Sequence, residues 1–207
     1  MVTPEQRDLC LELFDAGAVR VGDFILKSGL KSPIYLDLRI LVSHPLLLRR
    51  IARLLKNLAT PLPFDRIAAI PYAAMPIGTA LSLETGWPMV YSRKETKEYG
   101  TKKKIEGDFK QGETVLVIDD LITTGESKFE AIAPLQHVGL KVKDIVVLID
   151  REQGGKELLK EKGYVLHSVL TISQILGELK NAGKISDAQL ADVHAYFSHP
   201  ETWSEKK

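Results

Sequence analysis

From Arg66 onward, short apolar β-branched runs alternate with segments of helical apolar period, and that alternation constrains the fold more than any other feature of the chain. Ile67 to Ile70, Met89 to Tyr91, Val115 to Ile118, Ile145 to Ile149 and Tyr164 to Leu170 read as strands. Pro76 to Glu84, Ser127 to Val138 and Lys156 to Lys162 read as helices between them. Repetition of this kind predicts an α/β fold with a central, mainly parallel sheet flanked by helices. Ligands of such sheets bind outside the carboxyl ends of the strands. Functional residues are therefore expected where each strand runs out.

The segment before Arg66 is organised differently. Thr3 and Pro4 suit the N-cap and first position of a helix running from Pro4 to Ala16, with Gly17 as its stop. Phe24 to Leu26 and Pro33 to Leu38 are short extended segments that predict a small hairpin-like hood, about residues 18–42. Pro45 to Leu58 reads as a helix with Arg49, Arg50, Arg53 and Lys56 on its solvated face. Ser186 and Gln189 form a capping-box pattern for a last helix to Phe197, beside a helix from Ile172 to Asn181, and the end HPETWSEKK is expected to fray.

A chain of 207 residues suits a single domain, 1–207. Its 28 basic and 27 acidic residues nearly cancel, which gives no basis for a nucleic-acid or membrane partner. The single cysteine, Cys10, lies in the apolar stripe Leu9, Leu13, Phe14 and predicts a buried small hydrophobe. With no apolar run of membrane-spanning length and no signal-peptide pattern in MVTPEQRD, a cytoplasmic location is expected. The five histidines lack metal-ligand spacing and read as surface or helix residues. Neither a Ser-His-Asp nor a Cys-His arrangement stands out.

Val115 to Ser127, VLVIDDLITTGES, is the densest chemistry on the chain. Asp119 and Asp120 are placed at a strand's carboxyl end, where exposed turn carboxylates would contribute little to stability. Thr123 to Ser127 then open a helix, so unpaired N–H groups, hydroxyls and the helix dipole favour a phosphate there. Carboxylates followed by an anion nest suit a ligand with hydroxyls near a phosphate, such as ribose 5-phosphate. An ordinary strand–turn–helix connection remains the alternative. A second feature is the stretch RKETKEYGTKKKIEGDFKQG after Tyr91 and Ser92, which is lysine-rich and shows no apolar face. Connections this long are usually lids or disordered segments. Its position predicts a lid, about 94–112, that folds over a polyanion; a solvated charged loop is the alternative.

The DDLITTGES segment resembles the phosphoribosyl pyrophosphate (PRPP) signature of type I phosphoribosyltransferases. FILKSG with SPIY, PYAAMP, RKETKEYG and DREQGG extend the resemblance to the orotate phosphoribosyltransferase family along almost the whole chain, and most closely to the version that forms the first half of animal uridine monophosphate synthase. That resemblance implies the type I phosphoribosyltransferase fold and transfer of the 5-phosphoribosyl group from PRPP to N1 of orotate, yielding orotidine 5′-monophosphate and pyrophosphate in pyrimidine biosynthesis.

Residue roles follow as implications of the same resemblance. Lys27, Tyr72, Ala73, Arg93, Lys94, Lys97 and Tyr99 would meet PRPP together with Asp119, Asp120, Leu121, Ile122, Thr123, Thr124, Gly125, Glu126 and Ser127. Lys27, Tyr35, Leu36, Thr123 and Arg151 would meet orotate, whose carboxylate suits a guanidinium fork. For Arg151 the alternative is a structural ion pair with Asp150 or Glu152, and for Lys27 a plain surface role. Asp119, Asp120 and Lys97 would act in catalysis. Mg²⁺ is the implied cofactor, held mainly by the PRPP diphosphate rather than by direct protein ligands. A homodimer that shares its lids across the interface is the implied assembly.

Ala73 and Tyr99 depart from the common bacterial pattern, which has lysine and histidine there; the animal-type branch lacks both as well. A tyrosine with an unperturbed pKa of about 10 cannot replace a histidine near neutrality, which moves any lid proton donor to Lys97 or Lys102. Two other functions share the PRPP signature: a purine-type phosphoribosyltransferase, and a non-catalytic PRPP-binding regulator. The first would not require the LKSG and DREQGG stretches, and the second would be expected to show a basic face.

Overall fold

The computed structural model describes residues 2–26, 29–93, 104–199 and 203. It divides into two compact units, residues 1–44 with 172–207, and residues 45–171.

The first unit opens with helix α1, Pro4–Asp15. Thr3 and Gln6 cap it reciprocally: Gln6 N–H donates to Thr3 Oγ1 at 3.2 Å and Thr3 N–H to Gln6 Oε1 at 2.9 Å. Gly17, at φ 76°, ends it. Cys10 is fully buried, and burial pushes its thiol up to about 12. Strands β1 (Val19–Ile25) and β2 (Lys31–Leu36) form an antiparallel pair within the stretch expected as a hood, with a register shift between Val21 and Phe24. The first hood strand begins at Val19, well before Phe24. Leu38 is not part of the second: it starts a 3-10 helix, Leu38–Ser43, that sequence reading missed. Asp37 caps that turn and grips Arg39 with both carboxylate oxygens, at 2.7 and 3.0 Å. Helices α6 (Ile172–Asn181) and α7 (Asp187–Ser198, again with a complete capping box) finish the unit, and α1 packs on α6. The chain end is not wholly frayed, because Trp203 is buried edge-on against Tyr196 at 5.7 Å between centroids.

The second unit carries α2 (Pro45–Ala59), β3 (Arg66–Ala69), α3 (Ala74–Thr85), β4 (Met89–Ser92), β5 (Ile105–Glu106), β6 (Thr114–Ile122), α4 (Glu126–His137), β7 (Lys141–Asp150), α5 (Gly155–Glu161) and β8 (Val165–Thr171). The sheet order is β5-β4-β3-β6-β7-β8, parallel throughout except for β5. Alternate residues of β6 explain the burial on both faces. Val115 and Val117 join Ile132 and Leu135 of α4 in one cluster, while Leu116 and Ile118 are also buried. Among the described residues, no helix is long and apolar enough to cross a membrane.

Three expectations need correction. Strand β6 runs past Ile118 to Ile122, because its pairing with β7 continues to Ile122 opposite Asp150; Asp119 and Asp120 thus lie within the strand. The stretch expected as a lid, 94–112, is not one unpaired connection, because its described part enters the sheet at β5. Ile105 and Glu106 pair antiparallel with Ser92 and Tyr91, Ile105 is buried, and Phe109 packs on the core, so this stretch does have an apolar side. Finally, His167 is a strand residue, bonded through Nε2 to buried Asp144 at 2.8 Å.

Candidate functional site

Strand order reverses between β3 and β6, since the chain leaves β3 for β4 on one side and later returns to β6 on the other. Such a switch point opens a crevice at the carboxyl ends of the strands. Tyr72 and Ala73 follow β3, Arg93 follows β4, Asp119 to Ser127 occupy the end of β6 and the start of α4, and Arg151 follows β7. Parallel pairing therefore brings these residues to one edge of the sheet.

The two acids differ sharply. Asp119 is buried, only 5 % exposed, rather than a turn carboxylate in water. Its Oδ1 accepts the Asp120 N–H at 2.8 Å and its Oδ2 is ion-paired with Lys128 Nζ. Lys128, 6 % exposed, also donates to the Leu121 carbonyl at 2.9 Å. Burial, then the charge of Asp119 and a hydrogen bond with it, raise Asp120 to about 7; the Leu121 N–H and Lys128 oppose that rise. Near neutrality one carboxyl is thus poised between its acid and its anion beside a second, salt-bridged one. Sequence reading missed Lys128. Its spacing from Ile132 and Leu135 is i, i+4, i+7, which places a lysine on the buried stripe of α4.

Thr123 to Gly125 make the turn into α4, which begins at Glu126, one residue earlier than expected. Gly125 takes φ 89° and caps the helix without a side-chain bond, leaving an N-terminus bounded by exposed Thr124, Glu126 and Ser127. The β7–α5 loop is packed against it. Arg151 N–H donates to Ile122 O at 3.0 Å, and a Cβ on Gly155 would meet the Thr123 carbonyl oxygen at 2.6 Å. Asp150, buried and raised by that burial, accepts the Glu152 N–H at 2.8 Å, and Glu152 takes φ 56°. Arg151 is therefore presented by a loop tied on both sides.

On the other flank, the peptide between Pro71 and Tyr72 is cis, Tyr72 is 65 % exposed and Ala73 precedes the first turn of α3. Arg93 N–H donates to Lys104 O at 2.9 Å and its guanidinium meets Glu106 at 3.1 Å. The described residues on either side of 94–103 are thus joined, and Glu106 is a partner that sequence reading did not identify. Lys27, Lys94, Lys97, Tyr99 and Lys102 lie outside the described residues. Tyr35 and Leu36 lie on β2 of the first unit, where the Arg20 guanidinium covers the Tyr35 ring at 4.9 Å. Among the described residues no cluster of carboxylate, histidine and cysteine side chains could cage a metal ion. With Asp119 engaged by an ammonium, the acid pair is a poor ligand set for a divalent cation on its own.

The model of the phosphoribosyl transferase domain family matches residues 38–174. The chain is 44% identical over 187 residues to uridine 5′-monophosphate synthase of Bos taurus, covering 89% of this chain and 39% of that protein. It is 36% identical over 198 residues to orotate phosphoribosyltransferase of Caenorhabditis elegans, covering 95% and 87%. Among solved structures, UMP synthase of Leishmania donovani superposes with a TM-score of 0.85 at 44% identity over 93% of this chain and 42% of the other. The chain thus spans about two-fifths of the length of the synthases it matches.

Proposed function

Because the chain belongs to the phosphoribosyl transferase domain family, and within it to the orotate phosphoribosyltransferases, we propose that it transfers the 5-phosphoribosyl group of PRPP to N1 of orotate, releasing pyrophosphate and making orotidine 5′-monophosphate for UMP synthesis. The observation that carries this reading is the locked pair of loops at the ends of β6 and β7. It sets the acid pair of β6, an open helix N-terminus and an arginine at one sheet edge, the groups that a ribose phosphate and a carboxylated base would need.

Bond cleavage at ribose C1′ leaves negative charge on the departing diphosphate and develops positive charge on the ribose ring. Asp119 and Asp120 are assigned to the ribose hydroxyls, where their negative charge also favours the cationic ring. Thr123 to Ser127 hold the 5′-phosphate, with Leu121 and Ile122 shaping the approach to that loop. Tyr72, Ala73, Arg93, Lys94 and Tyr99 are assigned to PRPP, and Lys97 to the leaving diphosphate. Arg151 and Thr123 take the orotate side, with Lys27, Tyr35 and Leu36 assigned on resemblance. Mg²⁺, for which no side chain of this chain is assigned as a direct ligand, would supply charge neutralisation at the diphosphate when bound with PRPP. Lid closure excludes the water that would hydrolyse PRPP.

A homodimer and a cytoplasmic location complete the proposal. A groove of about 430 Å³ between α2 and α3 is lined by Pro45, Leu48, Ala80 and Leu83 together with the charged Arg49, Arg53 and Glu84, and Leu46 and Leu83 are 78 and 83 % exposed, a mixed surface assigned here to the contact with a second copy. PRPP-dependent loss of orotate, followed with and without Mg²⁺ and with uracil and adenine as competitors, tests the function. Orotate should be consumed far faster than either base. Comparable turnover of uracil, with orotate unused, would overturn the assignment.

A further inference from the structure

We infer that Lys128 is a positioning residue for the phosphoribosyl substrate, clasping the acid-bearing end of β6 to the phosphate-binding start of α4. The inference rests on the transferase reading above. Its basis is geometric. Nζ of Lys128, on the first turn of α4, reaches back across the turn to Asp119 Oδ2 and to the Leu121 carbonyl. Asp119 Oδ1 is taken by the Asp120 N–H. The carboxylate plane of Asp119 is therefore held from both oxygens, and one of its holders sits on the helix whose N-terminus is proposed for the phosphate.

Folding alone gives little reason for a lysine at this place. A cation at a helix N-terminus opposes the dipole. A buried ion pair is seldom better for stability than apolar residues of the same volume, and position 128 lies on the stripe completed by Ile132 and Leu135. What the ammonium supplies that an apolar side chain cannot is a fixed distance between the carboxylates and the phosphate nest. PRPP presents ribose hydroxyls and a 5-phosphate at one covalent spacing, so that distance governs how well both ends are met together. The ammonium also offsets one of two adjacent negative charges, which favours the anionic form of the second acid proposed to meet a ribose hydroxyl.

The test compares wild type with Lys128→Met and Lys128→Gln in four readouts: melting temperature, forward kinetics, reverse kinetics, and calorimetric titration with ribose 5-phosphate, which carries the two recognised ends and no diphosphate. KM for PRPP and for orotidine 5′-monophosphate should rise about tenfold or more, while KM for orotate and for pyrophosphate stays within about twofold. Ribose 5-phosphate affinity should fall in step with the PRPP effect. If Lys128→Met does not fold, Lys128→Gln carries the test, since its amide keeps a donor and loses the charge. Unchanged Michaelis constants with only a lower melting temperature, or a fall in kcat that tracks the folded fraction, would reduce Lys128 to a structural residue. Should wild type consume no orotate, the transferase reading fails on its own, and the ribose 5-phosphate titration still decides the role of Lys128.

Discussion

A Cβ built on Gly155 would stand 2.6 Å from the carbonyl oxygen of Thr123 and 2.7 Å from Cγ1 of Ile122. The loop that carries Arg151 and the loop proposed for the phosphate therefore rest on each other with no room for a side chain. The Arg151 N–H to Ile122 bond ties them a second time. Spacing between the loop proposed for the base and the loop proposed for the phosphate is set by a missing methyl group.

Gly155→Ala should force these loops apart, destabilising the protein by about 1–3 kcal/mol and lowering kcat/KM for both PRPP and orotate. Thermal melting with steady-state kinetics checks it. A variant that keeps full activity and melting temperature would show that the contact relaxes freely.

The two acids should respond oppositely to the same substitution. Asp119→Asn leaves the buried Lys128 ammonium without its counter-charge, and losing one partner of a buried pair costs about 3–5 kcal/mol. For Asp120, the folded carboxyl is raised to about 7 from 3.8, so the folded state binds the proton more tightly than the unfolded chain. The stability it contributes is full below about pH 4 and is lost as pH rises towards 7. Asp120→Asn should thus be more stable than wild type at pH 8 and lose that advantage at pH 4, yet use PRPP poorly at either. Urea titrations at the two pH values read the sign. An equal stability change for both variants would contradict the asymmetric burial.

Glu106→Gln releases Arg93 from an ion pair beside the stretch proposed as a lid. Because Glu106 is partly exposed, stability should change by less than about 1 kcal/mol. KM for PRPP should fall by about threefold, since the carboxylate competes with the diphosphate for Arg93 and repels it. A rise in that constant would mean that Glu106 orients Arg93 rather than competing for it.

Lys97→Ala should lower kcat strongly with less effect on orotate binding, because its charge is expected to meet the leaving group mainly in the reacting state. If lids serve the neighbouring subunit, mixing Lys97→Ala with Arg151→Ala should restore about a quarter of normal specific activity, given random exchange within two-fold dimers and one intact site per mixed dimer. A mixture that has exchanged subunits and stays inactive would place the lid over its own subunit's site.

The parallel α/β architecture, the Thr3 N-cap, the Ser186 capping box and the order of motifs along the strand ends were legible in the sequence, because side-chain period and helix capping depend on residues a few positions apart. Tertiary structure decided the rest. Strand β6 extends through Asp119 and Asp120 because β7 continues to pair with it, and Ile105 belongs to the sheet because β4 offers it an edge. Asp120 titrates near neutrality only because burial and Asp119 act on it together. The burial of Lys128 and the bare backbone of Gly155 answer to groups across a turn or on another strand. Hydrogen-bond pairing, desolvation and close packing are set by what the fold brings near, and sequence spacing alone does not carry that information.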